Sequence, residues 1–215
     1  MGKSKKHTCF LFGAGEHYQL PDFQSADFII AADGGFAYLG KHGVVPDLVI
    51  GDFDSLSAPP AGGPKTIVLP QEKDDTDMLA ALREGWDCGF RRFCIYGGTG
   101  GRLDHTIANI QCLAGLACRG GRGYLFARDT VITAVHNGSI AFPAGVGGIV
   151  SVFSCSGTST GVSEQGLKYP LNNATLRSTY PLGVSNRFTG APGSISVQSG
   201  TLLVIYPTNV QEVDP

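Results

Sequence analysis

Two aspartates stand two residues apart at the end of an apolar run, Leu48-Val49-Ile50-Gly51-Asp52-Phe53-Asp54-Ser55. In extended backbone, residues i and i+2 point to the same side, so Asp52 and Asp54 project together past the end of a strand. Two like charges side by side repel unless a cation or hydrogen-bond donors lie between them. Further carboxylates recur at comparable places. Asp33 follows the apolar run 27–32, Asp74, Asp75 and Asp77 follow 66–70, and Asp104 follows 92–96 with Arg102 beside it. If these runs are parallel strands, all of those ends lie on one edge of the sheet, the edge where open α/β sheets bind ligands. An all-oxygen donor set without His or Cys suits Mg²⁺ rather than zinc, and Mg²⁺ usually arrives with a polyphosphate. Gly97-Gly98-Thr99-Gly100-Gly101 complements the acids. A glycine-rich turn into a helix offers backbone N–H groups to phosphate, and Arg102 at the helix start can pair with a phosphate oxygen. The loop is neither GxGxxG nor GxxxxGK[ST], so neither a dinucleotide fingerprint nor a Walker A loop is supported.

The elements that position these residues alternate through the first half. Residues 8–12, 27–32, 47–50, 66–70, 92–96 and 124–127 read as strands. Residues 36–42, 74–85 and 103–118 read as helices, with Asp75 or Thr76 capping the second and Ile107, Ile110, Leu113, Leu116 and Ala117 at helical spacing in the third. This alternation predicts a mostly parallel, helix-covered α/β sheet domain over residues 1–135. From 136 to 215 no helical period appears. Short β-rich runs separated by Gly, Ser, Asn and Pro predict an antiparallel β-sandwich, opened by a hairpin at Asn137-Gly138.

Composition narrows the class further. The formal net charge is −2 and the only basic cluster is Lys3-Ser4-Lys5-Lys6-His7, so nothing favours a nucleic-acid or anionic-membrane partner. The six cysteines form no CxxC and several lie in apolar stretches, which predicts buried free thiols in a reducing, cytoplasmic compartment. No signal-peptide core and no apolar run of membrane-spanning length appear. Ser55 has no neighbouring base and reads as a turn residue, Trp86 as helix-end packing, and His105 as a ligand contact or a packing residue.

Taken together, Asp33-Gly34-Gly35, Gly51-Asp52-Phe53-Asp54-Ser55, Lys73-Asp74-Asp75-Thr76-Asp77 and Gly97 through His105 resemble, in order and spacing, the motifs of the thiamine pyrophosphokinases. Gly166-Leu167-Lys168-Tyr169-Pro170-Leu171 and Gly183-Val184-Ser185-Asn186 are similar to that family's C-terminal motifs. The resemblance implies transfer of diphosphate from ATP to the thiamine hydroxyl, giving thiamine diphosphate and AMP. It implies Mg²⁺ on Asp52, Asp54 and Asp77, and an ATP site including Asp33, Lys73, Gly97, Thr99, Gly100, Arg102 and Asp104. It also implies catalytic roles for Asp74, Asp77 and Arg102, thiamine binding by Tyr169, Ser185 and Asn186, and a homodimer with the active site at the subunit interface. Tyr169 stands where some members carry Trp, and Lys73 where some carry a neutral amide. Two rivals share the acidic edge: a pyrophosphokinase for another small alcohol such as a hydroxymethylpterin, and a non-catalytic nucleotide-binding regulator. The second expects one of the acids to be lost, and all are present.

Overall fold

The computed structural model describes residues 7–52, 63–70, 72 and 74–210. In chain order the elements are β1 (Thr8–Phe12), β2 (Phe28–Ala32), α1 (Gly35–Lys41), β3 (Leu48–Gly51), β4 (Lys65–Val68), α2 (Asp77–Asp87), β5 (Arg92–Tyr96), α3 (Leu103–Cys118), β6 (Arg122–Phe126), β7 (Thr130–His136), β8 (Ser139–Phe142), β9 (Ile149–Ser154), β10 (Thr158–Gln165), β11 (Leu171–Arg177), β12 (Gly183–Arg187), β13 (Gly193–Ser196) and β14 (Thr201–Pro207). Two compact units result: Met1–Cys112 with Leu125–Ala127, and Leu113–Tyr124 with Arg128–Pro215.

In the first unit the strands run β5-β1-β2-β3-β4, all parallel. β1 and β3 are buried at every position, as strands covered on both faces require. Chain order and spatial order agree from β1 to β4; then the link through α2 carries β5 to the far side of β1. The order therefore reverses between β1 and β5, which places the sheet's ligand crevice at their carboxyl ends. Beneath that point lies an aromatic floor. Phe12 stacks on Tyr96 at 5.2 Å between ring centroids, and Tyr96 stacks on Phe126 at 4.6 Å. Burying a Phe of this kind is worth roughly 1.5–3 kcal/mol.

The helices start and end as local chemistry dictates. α2 begins at Asp77 because Thr76 caps it, its Oγ1 accepting from the Leu79 N–H at 3.2 Å. α3 spans the residues read from sequence, but its inner face is turned. Leu113, Leu116 and Ala117 are buried while Ile107 is 50% exposed. The buried position nearer the helix start belongs to Asn109, whose Nδ2 donates to the Gly98 carbonyl at 2.8 Å. That hydrogen bond faces the polar residue, and not Ile107, toward the glycine loop.

The second unit contains two antiparallel sheets, β12-β9-β14-β7 and β11-β10-β13-β8. Phe142 on β8 packs edge-on against Tyr206 on β14 at 5.2 Å, joining the sheets through a shared core. The hairpin expected at Asn137-Gly138 does not form. β7 pairs with β14 over Thr130 to His136, and β8 pairs with β13. Asn137 takes φ 44° but Gly138 is not left-handed, so the type I′ turn that would fold β8 back on β7 is missing. The Asn137 side chain instead accepts from the Gly200 N–H at 2.9 Å, and the chain crosses from one sheet to the other.

All six cysteines are free. Cys9 and Cys94 are buried as expected, whereas Cys88, Cys118 and Cys155 are exposed, because they fall at or just past element ends and not inside the apolar runs.

Candidate active site

The crevice at the β1/β5 reversal is built from two loops laced together by their backbones. Gly13 N–H donates to the Tyr96 carbonyl at 2.8 Å, Gly15 N–H to the Gly97 carbonyl at 2.7 Å, and Glu16 N–H to the Thr99 carbonyl at 2.8 Å. The approach leaves no room for side chains. A Cβ on Gly15 would lie 2.4 Å from the Thr99 oxygen. Gly97, Gly100 and Gly101 have φ 62°, 80° and 62°, the left-handed region that glycine enters without cost. The first loop, Gly13-Ala14-Gly15, was not singled out from sequence as a site. Its signal was its place after β1, which means little until strand order shows β1 beside β5.

A cleft of about 390 Å³ opens over these loops. Asp33, Thr76, Asp77, Gly97, Gly98, Gly100, Gly101, Arg102, His105 and Asn109 contribute to its lining, together with Gly13 to Gly15. Eight of these were expected from sequence: Asp33, Asp77, Gly97, Gly98, Gly100, Gly101, Arg102 and, as one of two readings, His105. Asp33 follows β2 with φ 47°, a strained conformation for a residue with a side chain. It is held there by its own N–H to the Ile50 carbonyl at 2.9 Å and by its carbonyl accepting from Phe36 N–H at 3.2 Å. Thr99 is buried beneath the loop, and its Oγ1 has no hydrogen-bond partner among the described residues. Asp52 is half-buried just past β3. Asp74 is exposed, two residues before the Thr76 cap, and is not part of the lining. Asp54 and Lys73 lie outside the described residues, as does Ser55.

Arg102 and Asp104 form a forked pair, with Nε to Oδ1 at 3.2 Å and Nη2 to Oδ2 at 2.6 Å. Both are exposed. The guanidinium, with a third hydrogen bond from His105 N–H, holds the Asp104 carboxyl down at about 2, so it stays ionised. Asp104 in turn raises Arg102. The pair keeps the arginine beside the mouth of the glycine loop and leaves it exposed to an incoming anion. His17 stacks on Tyr38 at 3.7 Å and meets the Gly13 carbonyl through Nε2 at 2.9 Å. Burial is the main cause that lowers its pKa, which favours the neutral ring. The neutral tautomer with the proton on Nε2 donates to Gly13 and pins the first loop.

Among the described residues no three His, Cys, Asp or Glu side chains stand together as a metal cage. Mg²⁺ does not require one, since it is commonly held by one or two carboxylates and the phosphates of its substrate. The carboxylate oxygens of Asp77 and Asp33 in the cleft, and of Asp52 past β3, are donors of the right chemistry for that cation.

In the second unit, Asn186 on β12 is buried and bonded to the Tyr169 segment on both sides. Its Oδ1 accepts from Tyr169 N–H at 3.0 Å and its Nδ2 donates to the Tyr169 carbonyl at 2.8 Å. Tyr169 presents its ring to solvent, 58% exposed. Ser185 is exposed with φ 60°, its N–H donating to Ser151 Oγ at 3.1 Å. Tyr169, Ser185 and Asn186 are thus neighbours in the second unit, Asn186 buried and the other two exposed.

A parallel sheet with a glycine-lined cleft at its switch point, edged by Asp33 and Asp77 and by Arg102, has the chemistry to take a polyphosphate. Comparison with known proteins narrows this. Residues 22–120 match the thiamin pyrophosphokinase catalytic domain, and residues 139–202 match the thiamin pyrophosphokinase vitamin B1 binding domain. A thiamine pyrophosphokinase of Bacillus subtilis is 30% identical over 193 residues, covering 84% of this chain and 87% of that protein. The crystal structure of thiamine pyrophosphokinase from B. subtilis superposes with a TM-score of 0.81 at 27% identity, covering 94% of this chain and 99% of that one. That from Geobacillus thermodenitrificans gives 0.79 at 29% identity, covering 94% and 98%. The chain belongs to the thiamine pyrophosphokinase family.

Proposed function

We propose that this chain transfers the diphosphate of ATP to the hydroxyl of thiamine, releasing AMP. The observation that carries the reading is the convergence, at one strand-order reversal, of two interlaced glycine loops, Arg102 and the carboxylates of Asp33 and Asp77. The glycine loops, with the buried Thr99 below them, cradle phosphate oxygens by backbone N–H groups. Arg102, held at the mouth by Asp104, pairs with the charge that builds on the transferred phosphates. Fixed donors aimed at developing charge are the main source of acceleration in phosphoryl transfer. Asp77 and Asp52, with Asp54, are the residues that would hold Mg²⁺. When bound, that ion neutralises phosphate charge and draws the phosphate oxygens into the alignment that in-line attack needs. Among the described residues two carboxylates line the cleft, Asp33 and Asp77, and one of them accepts the hydroxyl proton. Asp74 is exposed and outside that lining; Lys73, which lies outside the described residues, would offer the polyphosphate a positive charge.

The acceptor is bound by the patch of Tyr169 and Ser185, with the buried Asn186 behind it and the exposed Tyr169 ring offering a stacking face to a cationic heterocycle. We propose a homodimer, in keeping with the exposed apolar side chains Ile149, Tyr180, Leu182 and Val184 of the second unit. The partner copy then supplies the acceptor patch. No helix among the described residues is long and apolar enough to cross a membrane, which accords with a cytoplasmic enzyme.

Purified protein with MgATP and thiamine, assayed for AMP and thiamine diphosphate, tests the reading. AMP is expected in one-to-one proportion with thiamine consumed. AMP formed with a hydroxymethylpterin and none with thiamine would assign a different acceptor, and no AMP with either would leave only the regulator.

A further inference from the structure

Glu164 is a carboxylate with no exposed surface, on the inward face of β10. Burying a carboxylate is expensive unless it has partners. Here Oε2 accepts from Asn186 Nδ2 at 2.8 Å, and Oε1 has no hydrogen-bond partner among the described residues. Burial is the main cause that raises its pKa, against the Asn186 hydrogen bond that lowers it. An apolar side chain would fill this position at less cost, and among the described residues the carboxylate's hydrogen-bond partner is Asn186.

That bond decides how the Asn186 amide points. An amide has two N–H donors and an oxygen with two lone pairs. The Asn186 donors go to Glu164 Oε2 and the Tyr169 carbonyl, and the oxygen accepts from the Tyr169 and Arg187 N–H groups at 3.0 and 2.9 Å. Two neighbours are donors only and two are acceptors, so one orientation satisfies all four and the flipped one satisfies none. With every valence used inside the unit, Asn186 has nothing left for a ligand. It works as a clamp, closing both sides of Tyr169 and fixing the residue next to the strained Ser185. Across the clamp, β10 belongs to one sheet and β12 to the other.

We infer that Glu164 is a positioning residue for the alcohol substrate: through the Asn186 amide it holds Tyr169 and Ser185 in the arrangement that receives the acceptor. The inference rests on the assignment of that patch to thiamine. Tyr169 and Ser185 touch the substrate, while Asn186 and Glu164 act behind them.

The test compares steady-state constants for both substrates across Glu164→Ala, Glu164→Gln, Asn186→Asp and the double variant. Glu164→Ala removes the acceptor for one amide donor. The thiamine KM should rise roughly tenfold, the equivalent of one hydrogen bond, while kcat and the ATP KM stay within twofold. Glu164→Gln keeps a carbonyl acceptor and should restore the thiamine KM. Asn186→Asp sets a carboxylate against Glu164 and should raise the thiamine KM further. Adding Glu164→Gln to it supplies an amide donor to that carboxylate, and the double variant should bind thiamine better than Asn186→Asp alone. This rescue stands even where Glu164→Ala fails to fold. A thiamine KM unchanged in Glu164→Ala, or thiamine and ATP constants that worsen together, overturns the inference. So does a double variant worse than Asn186→Asp. Each of these leaves the thiamine reading intact if the wild type still forms AMP from thiamine. A wild type that forms none overturns that reading and the role of Glu164 with it.

Discussion

Gly15→Ala probes whether the interlaced loops are the nucleotide cradle. Gly15 is not in the left-handed region, so alanine meets no backbone penalty and only the added methyl matters. That carbon would lie 2.4 Å from the Thr99 oxygen, 2.6 Å from the Gly97 oxygen and 3.1 Å from the Gly97 carbon, all backbone atoms that no rotamer change can move. The loops must part. Parting them stretches the Gly15-to-Gly97 and Glu16-to-Thr99 hydrogen bonds of 2.7 and 2.8 Å. Two such bonds are worth about 1 kcal/mol each, and overpacking adds about 1–3 kcal/mol. With partial relaxation the loss is about 3 kcal/mol, which in a chain of this size lowers Tm by about 6–12 °C. Because the displaced carbonyls belong to the loop whose N–H groups would face phosphate, the ATP KM should rise at least about tenfold, the equivalent of about 1.4 kcal/mol. Gly115→Ala is the control. That glycine sits exposed in α3 with nothing within 4 Å of its added carbon, so helix propensity should stabilise it by about 0.5–1 kcal/mol and leave both KM values unchanged. Calorimetry and AMP-release kinetics measure both variants. Gly15→Ala with wild-type Tm and ATP KM would refute the claim that this close approach shapes the site.

Asp77→Asn, which keeps the helix start and the Thr76 cap, should cut kcat by at least about a hundredfold with Tm within a few degrees, as loss of a principal electrostatic group does; wild-type turnover would sink its assignment to the metal and phosphates. Asn109→Ala strips the Gly98 carbonyl of its buried donor and should cost about 1–3 kcal/mol, read as a lower Tm together with a raised ATP KM and an unchanged thiamine KM. Glu164→Gln tests the pH dependence of stability. Burial raises the Glu164 pKa in the folded state, so its contribution is most favourable below the unfolded carboxyl value and is lost as pH rises through the folded one. The Tm of Glu164→Gln minus that of wild type should therefore grow between pH 4 and pH 8, and a difference that is flat or shrinks with pH contradicts a raised value.

Much of the first unit was legible because its signals are local. β1, β3 and β5 are uninterrupted apolar runs, and α3 was bounded to the residue by its periodicity. The face of α3 was not legible, since whether Asn109 or Ile107 turns inward depends on a carbonyl at Gly98 supplied by another loop. The second unit was read in outline only. β10 to β12 are built from Ser, Thr, Asn and Gly with exposed positions on one side, so alternation is faint. The dipeptide Asn137-Gly138 carries the strongest hairpin signal in the chain and makes none. β14 offers β7 a seven-residue partner, and that ladder outweighs a two-residue preference. The role of Asn186 was hidden for a related reason. A motif indicates that an amide stands at a site, but only its four bonds reveal that it is spent inward.

The acids themselves show why composition alone underdetermines a site. Asp27 and Asp47 stand at the amino ends of β2 and β3, and both are spent on backbone. Asp27 accepts from the Thr8 and Gln24 N–H groups at 3.1 and 2.8 Å, and Asp47 from Ile29 N–H at 2.8 Å. Parallel strands offer N–H groups at that end, so a carboxylate there finds donors within the sheet. At the opposite end the strands terminate in carbonyl oxygens, which offer a carboxylate nothing. Asp33 and Asp52 directly follow β2 and β3 at that carboxyl edge, and Asp77 opens α2. The same residue type is thus bonded to backbone at one edge, while at the other Asp33 and Asp77 line the cleft. Asp33, unlike Asp27 and Asp47, has a left-handed backbone, and its position is in the cleft lining.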